Sequence, residues 1–97
     1  MHIANVTVTK TWQDLESLLS TATSTTFSFD SDTNYYLTND GTQKIYLVNK
    51  SSPAPTDEAP LGLPLNPGEQ AGLKLASGKV YVSTVSGTAN LHVESEA

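Results

Sequence analysis

The sequence predicts a mainly all-β fold: a small antiparallel β-sandwich or jelly-roll-like barrel with one short N-terminal helix. Three observations predict it. Short runs alternate apolar with small polar residues, as in "GLKLASGKVYVSTVSGTANLHV" (72–93). Turn dipeptides such as Asp40-Gly41, Pro67-Gly68, Ser77-Gly78 and Ser86-Gly87 punctuate these runs at short intervals. A helical period occurs only once, near the start. Many short strands with regularly spaced turn signals indicate a sandwich or small barrel rather than a βαβ fold.

The elements follow in order. "IANVTVT" (3–9) is rich in β-branched residues and puts Val6 and Val8 on one face, which predicts a strand. In "TWQDLESLL" (11–19) the period changes. Trp12, Leu15, Leu18 and Leu19 fall on one helical face, and Thr11 with Asp14 forms a loose capping box, so a short helix is expected to pack by its Trp and Leu side chains on a sheet. "STATSTT" (20–26) reads as a polar connector, leading to Phe27 and Phe29 on a common face. Strands are expected at 34–38 and 43–49, joined as a tight hairpin around Asp40-Gly41. All five prolines lie between 53 and 67, where missing amide hydrogens and fixed φ angles predict a long exposed loop over about 51–67. Pro67-Gly68 suits a type II turn, and three strands follow at about 69–75, 79–85 and 88–94. Val80 and Val82 share one face, as do Leu91 and Val93.

The totals limit the function. At 97 residues the chain is expected to form one domain (1–97), and Leu, Ile, Val and Phe supply only 22 residues for its core. A domain this small buries roughly two-thirds of its unfolded surface, so oligomerisation or docking is a natural source of added stability. Net charge is −5, arginine is absent, and Lys10, Lys44, Lys50, Lys74 and Lys79 are scattered along the chain, so no nucleic-acid partner is expected. Zero cysteines exclude disulfides and thiolate chemistry and fit assembly in a reducing cytoplasm. "MHIANVTVTK" lacks the basic and long apolar regions of a signal peptide, and no run is long enough for an apolar membrane helix, so no membrane association is expected.

No catalytic constellation emerges, and the chain is read as a non-enzyme with no cofactor and no metal. "DSDTN" spaces Asp30, Asp32 and Asn34 like the start of a calcium loop, but Tyr35 and Gly41 stand where such a loop needs glycine and a bidentate glutamate, so a solvated turn is expected. His2 and His92 have no ligating or titratable company in sequence. His2 is near a terminus expected to be mobile, and His92, opposite in phase to Leu91 and Val93, should point to solvent. No nucleophile elbow surrounds any serine. Trp12, Tyr35, Tyr36, Tyr46 and Tyr81 could build a sugar-stacking platform, but core packing and protein interfaces use the same residues, and adjacent Tyr35 and Tyr36 must face opposite ways on a strand.

Taken together, "TWQDLESLL", "YYLTNDGTQKIYLVN", "LNPGEQ", "GKVYVSTVSG" and "ANLHV" resemble a pattern of small tailed-bacteriophage virion accessory proteins. The resemblance covers most of the chain. It implies a β module made in the host cytoplasm and carried in the virion, bound in many copies or as a homo-oligomer to phage capsid or tail proteins. Capsid decoration or cementing is the first expectation, and a neck, tail or fibre-adaptor part is the alternative. A carbohydrate- or receptor-binding module is the reading from a different class. Leu61, Leu63, Leu65, Tyr36 and Tyr46 are the candidate interface residues. The three leucines recur every second residue in a segment expected to be exposed, so they either meet a partner or return as a further strand of the core.

Overall fold

Among the residues described by the computed structural model, 1–56 and 62–96, eight strands and one helix pair and pack as two four-stranded antiparallel sheets. The strands are β1 (His2–Val8), β2 (Gln13–Asp14), β3 (Asn34–Asn39), β4 (Ile45–Asn49), β5 (Leu63–Leu65), β6 (Gln70–Lys74), β7 (Val80–Thr84) and β8 (Ala89–Ser95). The helix is α1 (Leu15–Thr23). One sheet has the order β1-β8-β3-β6, the other β2-β7-β4-β5. Only β4 and β5 are consecutive strands within one sheet, so every other connection crosses the sandwich.

The core lies between the sheets and follows from the period-two pattern. Val6, Val8, Leu37, Leu91 and Val93 point inward from the first sheet and meet Ile45, Leu47, Val80 and Val82 from the second. Leu15 and Leu19, one helical turn apart, are fully buried from α1, which packs on β1 and β7. Burial of each such Leu or Val contributes about 1.5–3 kcal/mol. Phe27, Phe29 and Tyr35 close the core beside α1 as edge-to-face rings, with centroid separations of 5.1 Å and 4.9 Å about Phe29.

Three expected boundaries are corrected. The helix starts at Leu15 rather than residue 11, because Gln13 and Asp14 pair with Val82 and Tyr81 as a strand. Asp14, with φ −67° and ψ 118°, caps the helix, and its carboxylate accepts the Glu16 N–H at 3.0 Å. The far end runs through the polar stretch to Thr23. Ser24 stops it in the left-handed region (φ 58°), with Ser24 N–H donating to Thr21 O and Thr25 N–H to Ser20 O in a Schellman arrangement.

The hairpin is the second correction. Asp40-Gly41 joins β3 to β4, but these strands belong to opposite sheets. Contacts distant in sequence decide this: Asn39 N–H donates to Glu69 O, Gly68 N–H to Asn39 O, and Asp40 N–H to Asn90 O at 2.8 Å. Gly41 lies so close to β8 that a side-chain carbon there would stand 2.7 Å from the Asn90 nitrogen.

The third correction concerns the proline-rich loop, which contains a strand. β5 pairs with β4 in the register Ile45↔Leu65, Tyr46↔Pro64 and Leu47↔Leu63. Proline fits there because β5 is a sheet edge and Pro64 need not donate outward.

Candidate functional site

Among the described residues, the short edge strand leaves one side of the sandwich open. β5 spans three residues, whereas β4 continues past it to Val48 and Asn49. On the opposite sheet the edge is β6, whose "GLKL" alternation aims Leu73 toward the core and Lys74 outward. Between these edges lies an open groove of about 550 Å³, with Leu47, Val48, Leu63, Leu73 and Leu75 as its apolar lining. Among the described residues its only charged ones are Lys50 and Lys74. The Lys50 ammonium is held near the rim by donation to Pro53 O at 2.7 Å and Ser51 O at 3.2 Å.

The candidate interface residues separate in this frame. Leu63 is 42% exposed and lines the groove. Leu65, two positions on and on the same strand face, is buried in the core at 5%. The reading as a further strand of the core holds for Leu65, Leu63 stands exposed on the same strand, and Leu61 lies outside the described residues. Tyr46 is buried at 9%, opposite Pro64 and Ser83 and with the Lys44 ammonium 5.7 Å from its ring centroid, so it offers little free surface. Tyr36 is half-buried on the outer face of the first sheet. It packs against Gly72, where an added side-chain carbon would stand 3.1 Å from the ring, so the tyrosine covers a glycine of an edge strand. Missed from sequence were Leu73 and Leu75, whose spacing in "GLKL" was a usable signal, and the two lysines, for which there was none.

The histidines require another correction. His2 belongs to strand β1, and the β1–β8 pairing sets its ring edge-on to His92 at 4.4 Å. His92 is half-buried, with Nδ1 2.7 Å from Asn5 Oδ1 and Nε2 2.9 Å from Glu94 Oε1. Its ring is thus held by an amide and a carboxylate rather than a hydroxyl. Ser83 Oγ, the most deeply buried serine hydroxyl, donates to Lys10 O at 2.8 Å. In "DSDTN", Asp30 Oδ1 accepts the Asp32 N–H at 3.0 Å, while Asn34 turns to Glu96. Among the described residues no group of three His, Cys, Asp or Glu is placed to hold a metal, and no helix is long and apolar enough to cross a membrane.

Glu96 provides a pH test of the fold. Its carboxylate accepts the Asn34 backbone N–H at 3.0 Å and the Asn34 side-chain amide at 3.2 Å. These bonds, the backbone one foremost, hold its carboxyl below the ordinary value of 4.5, and the Lys74 ammonium acts in the same direction. A depressed folded pKa contributes stability that is complete above the unfolded value and is lost as pH falls through the folded one. Glu96→Gln is therefore expected to melt below wild type near neutrality, and the gap should close as pH is lowered beneath 4.5. Thermal melts across that range check it; a gap independent of pH contradicts it.

No known protein family, curated protein or solved structure matches this chain.

Proposed function

We propose that the chain is a non-enzymatic structural module of a tailed-bacteriophage particle, a capsid decoration or other accessory protein held by a repeated protein–protein interface. The observation that carries a docking role is the open apolar groove between β5 and β6. An open apolar groove beside a free strand edge suits association with a partner segment. The sequence pattern supplies the particle. A modest interface repeated over many copies gains avidity from simultaneous contacts, which suits a domain with so small a core.

The groove favours protein docking over sugar binding. A sugar platform needs a row of exposed aromatic faces, and Tyr35, Tyr46 and Tyr81 are buried, Trp12 is half-buried and Tyr36 lies over Gly72. Immunodetection of the chain in density-gradient-purified phage particles, from the culture that produces it, is the test. The chain is expected in the particle band at a fixed ratio to the capsid protein. Its presence only in the soluble fraction overturns the reading.

A further inference from the structure

We propose that the groove takes an extended, acid-bearing segment of a partner protein, which adds as a strand to the free edge of β6. The inference rests on the docking reading above and names its occupant. Three features of the groove support it.

The first is the state of the two edges that flank it. β5 is blunted by its three-residue length and by Pro64, which has no N–H to offer. β6 has five residues, no proline and, among the described residues, hydrogen-bonded strand pairing only with β3. Its outer backbone groups are available to another strand.

The second is shape. The mouth lies between packed sheets, whose spacing is about 10 Å. An extended chain fits there with alternate side chains turned inward onto Leu63, Leu73 and Leu75, whereas a helix with its side chains is itself about 10–12 Å across.

The third is charge. In a chain of net charge −5, two of the five lysines line this apolar surface and, among the described residues, no acidic one does; Glu96 acts on Lys74 from outside the lining. Lys50 and Lys74 therefore select carboxylates flanking the apolar residues of the occupant. A second copy fits less well, since symmetric pairing of two β6 strands about Gly72 sets Lys74 opposite Gln70 and brings no new acid to it.

The experiment uses the full chain and a fluorescein-labelled peptide, Asp-Val-Thr-Val-Thr-Val-Asp, followed by fluorescence anisotropy. Saturable binding is expected. It should weaken about tenfold or more when the end residues are lysine, when the central valine is N-methylated to remove its amide hydrogen, and in the Leu63→Ser and Lys74→Glu variants. Leu63 and Lys74 are exposed, so both variants should stay folded, Lys74→Glu losing only the attraction to Glu96, and circular dichroism checks it.

Absence of saturable binding overturns the proposal. So does binding indifferent to N-methylation, which shows apolar contact without strand addition. A concentration-dependent dimer in sedimentation velocity that Leu63→Ser abolishes makes the occupant a second copy. Peptide affinity raised many-fold by replacing residues 57–61 with glycine and serine makes it the chain's own segment. Either result overturns the partner assignment. Peptide binding by a chain absent from particles removes the particle and leaves the groove, whereas particle incorporation unchanged by Leu63→Ser and Lys74→Glu removes the groove alone.

Discussion

Glu16→Ala is expected to lower the stability of this chain by about 3–5 kcal/mol, which in a domain of this size displaces the melting temperature by roughly 15 °C or more. Glu16 is only 8% exposed in the first turn of α1, where a carboxylate is favoured by the helix N-terminus. One of its oxygens accepts the buried Phe29 N–H at 2.7 Å, and the other accepts the Gly78 N–H and the Ser77 hydroxyl. A single side chain thus joins the helix, the connector that follows it and the β6–β7 turn. Hydrogen bonds to a charged group contribute about 1.5–3 kcal/mol each, and alanine leaves two backbone donors without their acceptor. Glu16→Gln keeps one acceptor oxygen and turns a donating amide toward an N–H, so its loss should fall between wild type and alanine. Urea denaturation measures all three. An alanine variant within about 0.5 kcal/mol of wild type means that water satisfies both donors and the clamp is not structural.

Residues whose fate is set by their neighbours in sequence were legible. Val6 with Val8, Val80 with Val82, and Leu91 with Val93 show their buried face by period two, and Leu15 with Leu19 by the helical period. What sequence did not disclose depends on where strands go after they form. Asp40-Gly41 has the chemistry of a hairpin turn, and nothing local distinguishes a chain that returns along its own sheet from one that crosses to the other. That choice is made by Glu69, Gly68 and Asn90, bonded to Asn39 and Asp40 from remote positions. β5 was legible only as one of two readings of the alternate leucines, because proline opposes strands in general but is tolerated at an edge. The groove was half legible. Leu63 drew attention by its place in a polar segment, but Lys50 and Lys74 are 24 positions apart and line one groove only because the end of β4 and β6 lie on either side of it. His2 and His92 likewise meet through the β1–β8 register alone.

Asn39 is where the crossing is held, and its substitution should have the second large effect. It is fully buried at the end of β3. Its Nδ2 donates to Gln43 O at 2.8 Å and to Leu65 O at 2.9 Å, and its Oδ1 accepts the Gly41 N–H at 3.0 Å. The amide therefore closes the turn and fastens β5 beneath it. Asn39→Ala removes all three bonds and leaves buried backbone groups unpaired, a loss of about 2–4 kcal/mol. Asn39→Asp preserves shape but sets a carboxylate oxygen against two carbonyl oxygens, with no hydrogen to donate, so near neutrality it should be the more damaging change. The sign with pH follows. Burial against carbonyls raises the pKa of that carboxyl in the folded state above its unfolded value, so the extra penalty grows as pH rises and shrinks as pH falls toward about 4, where the protonated acid regains one donor. Denaturation of the two variants in parallel from about pH 4 to about pH 7 tests this. If Asn39→Asp matches wild type at neutral pH, or if its deficit relative to Asn39→Ala does not narrow on acidification, the donated bonds to Gln43 and Leu65 are not what hold β3, β4 and β5 in their crossed arrangement.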